Sequence, residues 1–144
     1  MNDTLIKFGF PDSVIKSYQY WSVLLRPEQV TLGSLILASH SDEHAFGNLS
    51  SAALAELSTI TKDIELSLTN CFSYDKINYL MLMMVDPHVH FHVIPRYSTP
   101  RQALAMTIED NKWPGPPDLS SQIPLNMTQK STLLEHLKIQ WVSH

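Results

Sequence analysis

The chain has 144 residues, 44% hydrophobic and 17% charged, a balance that excludes a disordered or fibrous chain and predicts one domain over 1–144. The formal net charge is −4 and no block of Lys or Arg forms a stripe, so general nucleic-acid binding lacks its electrostatic footprint, while a small phosphorylated ligand stays open. Cys71 is the only cysteine, which excludes an intrachain disulfide and a cysteine-rich zinc module. With no basic-then-apolar leader and no run near the roughly 18–20 apolar residues of a membrane span, a soluble cytoplasmic protein is expected.

In chain order, Asp12 stands where it would cap a short helical segment over Ser13–Tyr18. Trp21–Leu25 reads as a strand, Arg26–Gln29 as a turn holding Pro27, and Thr31–Ala38 as a second strand, together a hairpin. A polar loop follows from Ser39 to Asn48. Ser50 sits at a helix N-cap position, and Leu54, Leu57, Ile60, Ile64, Leu68 and Cys71 recur at three or four residues, the strongest helical signal in the chain. Ile77–Val85 is a further apolar run, and Asp86-Pro87 alone separates it from the strand that follows, which demands an antiparallel pair. Residues 98–125 are Pro-rich, and Thr128 is placed to cap a closing helix near 128–141 carrying Leu133, Leu134, Leu137 and Trp141. The expected fold is α+β, an antiparallel sheet with helices packed mainly on one face.

The chemistry concentrates in Asp86-Pro-His-Val-His-Phe-His-Val-Ile-Pro-Arg-Tyr97. Successive strand side chains point to opposite faces, so period two sets His88, His90 and His92 on one face and Val89, Phe91 and Val93 on the other. Imidazole serves as nucleophile, acid and base near neutral pH, and three on one face can divide those tasks. Metal binding is the competing use of such a run. Three positions two apart span about 13 Å at the strand rise, so all three cannot reach one ion, whereas two imidazoles with a carboxylate such as Asp86 could.

His88-Val89-His90-Phe91-His92-Val93-Ile94 resembles the His-x-His-x-His-x-x signature of the histidine triad family, with x apolar, and Pro95-Arg96-Tyr97 is similar to the continuation in its short bacterial-type members. The similarity extends upstream through the hairpin, the Ser-capped helix and Lys76-Ile77-Asn78, over roughly residues 20–97. The resemblance implies a nucleotide hydrolase or nucleotidyl transferase. It would attack the α-phosphorus of a nucleoside phosphoramidate or dinucleoside polyphosphate through a nucleotidyl-histidine intermediate, commonly as a homodimer. By position His90 is the nucleophile, its second ring nitrogen held by the backbone carbonyl of His88. His92 stabilises charge on the phosphoryl or bridging oxygen, and His88 positions. No cofactor is implied, although a divalent cation can enter with a polyphosphate substrate. A non-catalytic nucleotide-binding module and a His-based metalloprotein are the alternatives.

Several positions depart from the family pattern. Met83-Met84 and Val85-Asp86-Pro87 stand where relatives carry Gly-Asn or phosphate-reaching polar residues. Arg26 occupies the place of the acidic residue that grips the ribose, leaving Glu28 as its replacement among substrate-binding candidates. Ser39, His40, Ser41 and Asp42 replace a basic pair and histidine; His40 and His44 read as solvated loop residues. Asn78 is either the family's site-ordering residue or a strand-edge residue satisfying backbone groups. Arg96 and Arg101 are positioned to hold a polyphosphate bidentately or to lie at the surface. Trp113 offers a stacking wall for a base or packs the tail, and Phe8 and Phe10 line a base pocket or act as a hydrophobic staple.

Overall fold

An antiparallel sheet whose strands bury side chains on both faces must be covered on both, and the elements of this chain divide accordingly. The structure, a computed structural model, describes residues 1–142. Helix α1 (Asp3–Lys7) is followed by strands β1 (Val14–Ser17), β2 (Trp21–Leu25) and β3 (Leu35–Ser39), helix α2 (Ser51–Phe72), strands β4 (Lys76–Leu80) and β5 (His90–Arg96), a hairpin of β6 (Arg101–Ala103) and β7 (Met106–Ile108), and helix α3 (Met127–Gln140). The main sheet has the order β1-β2-β3-β5-β4, every neighbour antiparallel. Strands β3 and β4 therefore run parallel with β5 between them, and such a pair requires a crossover, which α2 supplies. Among the described residues no helix is long and apolar enough to cross a membrane.

One face carries the main core. Trp21, Val23, Leu35, Leu37 and Val93 meet Ile60, Ile64 and Leu68 of α2 and Leu133 and Leu137 of α3. The stripe of α2 that is buried runs Ala53, Ile60, Ile64, Leu68 and Phe72, whereas Leu54 faces solvent. Asp63, buried on the same stripe, accepts the Tyr18 hydroxyl at 2.8 Å, and Tyr18 accepts the Trp141 indole N–H at 3.0 Å, which ties α2 to the end of α3. On the opposite face Leu24, Ile36 and Ala38 pack under Leu5 and Phe8, so the short N-terminal segment is the cover of the histidine side of the sheet.

Four expectations are corrected by the structure. Ser13–Tyr18 holds no helix: Val14 pairs with Leu24 and Ser17 with Ser22, and β-branched residues gain more from an open sheet edge than from an isolated turn. The run Ile77–Val85 leaves the sheet at Leu80, so nine residues, 81–89, and not Asp86-Pro87 alone, connect β4 to β5; the antiparallel pairing holds, with Leu80 opposite His92. Met83 takes the left-handed conformation (φ 46°) in this connection. The helix near 128–141 is capped by Asn126, which accepts from the Gln129 N–H at 2.8 Å while Gln129 Oε1 accepts from the Asn126 N–H at 2.9 Å, a reciprocal box that Thr128 cannot form from inside the helix. The Pro-rich segment contains the β6–β7 hairpin, whose turn residues Leu104 and Ala105 both have positive φ (53° and 59°); the Gly or Asn that usually announces such a turn is absent.

A buried ion pair joins β5 to the segment just after β7. Arg96 Nε lies 2.7 Å from Asp110 Oδ2 and Nη2 3.1 Å from Oδ1, with both side chains about as buried as the core, and Asp110 also accepts the N–H groups of Tyr97 and Lys112 at 3.2 Å each. Burial alone would raise the Asp110 carboxyl, but these donors hold it below its usual value. A lowered folded value means the contribution is complete above the unfolded carboxylate range and is lost as pH falls through the folded one. Arg96→Met leaves Asp110 buried without its cation and is expected to cost about 3–5 kcal/mol in urea unfolding at pH 7. Arg101→Met, at the more exposed Asp75 pair, should cost clearly less.

Candidate active site

Strand β5 is paired with β3 at His90, beside Ala38, and on both sides at His92, between Ile36 and Leu80, so both imidazoles leave a fixed backbone on the same face. Their rings stand 5.1 Å apart at 72°. His88 lies outside the strand and does not extend the row. Its Nδ1 is 2.9 Å from Thr4 Oγ1, which also accepts the His88 N–H at 3.4 Å, and its ring meets His44 edge-on at 4.9 Å. The expected row of three imidazoles is thus two on the strand and one turned to α1. The Val89 N–H reaches the Glu43 carbonyl at 3.3 Å and its carbonyl the Ser39 N–H at 3.0 Å, so residue 89 is held by loop and sheet together and the chain bends ahead of it.

His90 is 1% exposed, and its Nδ1 lies 2.7 Å from the carbonyl oxygen of His88. A carbonyl can only accept, so Nδ1 carries the proton and Nε2 of the neutral ring carries the lone pair. The geometry at His92 has the opposite sense. The Nε–H of Arg26 points at His92 Nδ1 at 3.4 Å; a guanidinium only donates, so Nδ1 accepts and Nε2 carries the proton. Burial first, then the neighbouring His90 and Arg26, lower the His92 value to about 4, so this ring is neutral at physiological pH. The two adjacent imidazoles present one lone pair and one N–H.

A cavity of about 190 Å³ opens over them, lined by His90, His92, Arg26, Met83, Asp86 and Leu119. Phe8 closes one side, its ring 5.6 Å from that of His90 and 6.0 Å from that of His92. Lys7 Nζ meets Asp86 Oδ1 at 2.7 Å, linking α1 to the 81–89 connection. The exposed Met84 and Val85 stand at the crest of that connection.

The remaining predicted residues lie elsewhere. Asn78 shares the histidine face of the sheet, but its Oδ1 accepts from Arg96 Nη1 at 2.9 Å, and both line a separate depression of about 770 Å³ walled by Trp113 and Pro114. Arg101 pairs with Asp75 and stacks over Tyr97 at 5.2 Å. Glu28 is exposed and is not among the residues lining the cavity; its backbone carbonyl, not its carboxylate, takes a hydrogen bond from Arg26. His40 is held between Ser22 Oγ at 2.8 Å and the Gln19 carbonyl at 3.2 Å. Thr4, Lys7 and the contact of Arg26 with His92 escaped the sequence reading. Asn2 was the available signal: its Oδ1 caps α1 at Leu5 N–H (2.9 Å) and its Nδ2 donates to the carbonyls of Ser39 (2.9 Å) and Ser41 (3.0 Å), fastening the helix to the sheet beside the histidines.

No protein-family model and no curated protein sequence matches the chain. Solved structures do. A histidine triad protein from Sinorhizobium meliloti superposes with a TM-score of 0.74 at 20% identity, over 97% of this chain and 95% of its own. A hypothetical histidine triad nucleotide-binding protein from Sulfolobus tokodaii gives 0.68 at 15% identity, over 95% and 88%. A zinc-bound histidine triad family protein from Mycobacterium smegmatis gives 0.61 at 15%, over 88% and 84%. The chain has the fold of the histidine triad proteins.

The His92 environment has a measurable consequence. In a histidine NMR titration of the native protein its ring should remain neutral at pH 6 and titrate near 4. Because the folded value lies below the ordinary 6.5, its stabilising contribution is complete above pH 6.5 and falls away as pH drops toward 4. A His92 signal titrating at its ordinary value would contradict the buried, cation-flanked geometry.

Proposed function

We propose that the protein is a nucleotide hydrolase or nucleotidyl transferase of the histidine triad family, acting at the α-phosphorus of a nucleoside phosphoramidate or dinucleoside polyphosphate. The observation that carries this reading is the 2.7 Å contact between His90 Nδ1 and the His88 carbonyl, which leaves a lone pair on Nε2 beside the Nε2–H of His92. An imidazole whose proton is held on the far nitrogen attacks phosphorus without first losing one.

His90 Nε2 forms the bond to phosphorus as the bond to the amine or phosphate leaving group breaks. The positive charge that develops on the ring is spread through Nδ1–H to the His88 carbonyl. The Nε2–H of His92 donates to the phosphoryl or bridging atom where negative charge grows. The leaving group takes a proton from solvent; water then attacks phosphorus, the P–Nε2 bond breaks, and a proton returns to solvent. In this reading His88 positions, through its carbonyl and its tie to Thr4, and the cavity of about 190 Å³ holds the phosphoryl end of the substrate while the nucleoside lies outside it. Asn78 and Arg96 keep β4 and β5 in register next to the site, and Glu28 is left to the ribose side of the substrate.

The reading requires no metal on the triad. His92 spends its Nδ1 lone pair on Arg26, so the pair offers the cavity one lone pair where two imidazole ligands would offer two. A divalent cation enters only with a polyphosphate leaving group. The working unit is proposed to be a cytoplasmic homodimer that binds nucleotide rather than nucleic acid.

With adenosine 5′-phosphoramidate as substrate and AMP release as readout, His90→Asn is expected to abolish turnover while AMP affinity stays within about tenfold, because removing a nucleophile deletes a transition-state interaction more than a ground-state one. His92→Ala should lower kcat by about 10²–10⁴-fold without abolishing it. Equal loss of binding and turnover in His90→Asn would make the residue structural and overturn the assignment.

A further inference from the structure

A buried guanidinium that touches no carboxylate is costly, so its presence asks for a reason. Arg26 is 9% exposed, and among the described residues no carboxylate forms an ion pair with it. Its three contacts run in three directions: Nη1 to the Glu28 carbonyl, Nη2 to the Leu119 carbonyl at 3.3 Å, and Nε to His92 Nδ1 at 3.4 Å. The backbone beneath it is fixed as firmly. Its N–H donates to the Ser34 carbonyl at 3.0 Å and its carbonyl accepts from Gln29 Nε2 at 2.6 Å, while Gln29 Oε1 accepts the N–H groups of Gly33 (2.8 Å) and Ser34 (3.0 Å). The buried Gln29 thus folds the β2–β3 turn around the root of the arginine, and two carbonyls aim its remaining donor.

We propose that Arg26 is a positioning residue which fixes the His92 ring so that its Nε2–H points into the cavity. The inference rests on the proposed function only in the use His92 makes of that N–H. Two effects follow from one contact. A ring flip about the bond to Cβ would set a C–H against the guanidinium and lose the hydrogen bond, so the ring is held in one orientation. Protonation at Nδ1 would bring two cations together, which adds to burial, the larger cause, in keeping the ring neutral. The groups facing His92 agree: His90 and Arg26 oppose its charging, Asp86 favours it and Lys7 opposes it, and the last two are paired with each other at 2.7 Å. Arg26 also links the site to residue 119 of the Pro-rich segment, which forms one wall of the cavity.

The test combines ¹⁵N-histidine NMR with kinetics on adenosine 5′-phosphoramidate. In the native protein at pH 7, His92 should be the tautomer with Nε2 protonated and Nδ1 bare. Arg26→Met should move the His92 titration only part of the way up from near 4 toward 6.5, because burial and His90 still lower it, and should lower kcat by about 10–100-fold, with KM within about threefold. Arg26→Lys, which keeps a cation but not the three-way fork, should keep the low titration and still lose kcat. A native His92 protonated at Nδ1 would overturn the proposal whether or not the variants fold. So would an Arg26→Met protein with unchanged kcat and His92 titration, or one that loses kcat and KM together while His92 titrates as before. If the native protein releases no AMP, the proposed function fails on its own, and the NMR tautomer and titration still decide the role of Arg26.

Discussion

The hydrogen bond from His90 Nδ1 to the carbonyl of His88, 2.7 Å long and made within three residues of chain, is the constraint on which the site depends. It requires His88 to leave the strand, because in a regular strand the carbonyl of residue i does not face the side chain of residue i+2. The bend is maintained from outside by Thr4 at His88 and by the Glu43 and Ser39 contacts at Val89. Once it is set, the protonated nitrogen of His90 is determined. The opposite choice at His92 is determined by Arg26. Neighbouring rings of one residue type are thereby given different chemical roles, a division that identical environments could not produce.

The two-faced sheet explains how such a site survives in a small protein. Helices α2 and α3 supply the apolar burial on one face. On the other, Leu5 and Phe8 cover Leu24, Ile36 and Ala38, and beside them stand His90, His92, Arg26 and the cavity. A five-residue helix has little stability of its own. It is kept by the Asn2 cap, by the Asn2 bonds to Ser39 and Ser41, and by the Lys7–Asp86 pair. Local opening of this segment and of residues 81–89 would expose the histidines without disturbing the main core.

What was legible in the sequence follows from how local each signal is. Period-two alternation placed His90 and His92 on one face, and the three-to-four spacing with Ser50 located α2, because a strand's two faces and a helix cap are written into adjacent residues. The antiparallel pairing of β4 with β5 was legible, whereas its connection was not, since apolar Met81–Val85 reads as strand until a left-handed Met83 takes it out of the sheet. The Val14–Ser17 strand depends on a partner, β2, that propensity over six residues does not see. Arg26 reads as a departure from a pattern in one dimension; only the fold brings it against a histidine 66 positions later. Asn78 and Arg96 illustrate the converse: read for ligand binding, they hydrogen-bond each other, and Arg96 also pairs with Asp110, contacts that no short stretch of sequence shows.

The central claim is that His90, and not water, makes the first bond to phosphorus. Turnover of a chiral α-phosphorothioate nucleotide in isotopically labelled water, followed by determination of the product's configuration, addresses it most directly. Two successive in-line displacements each invert phosphorus, so the covalent route predicts overall retention. Overall inversion would mean direct attack by water and would contradict the account, even with His90 essential and its Nδ1 held as described.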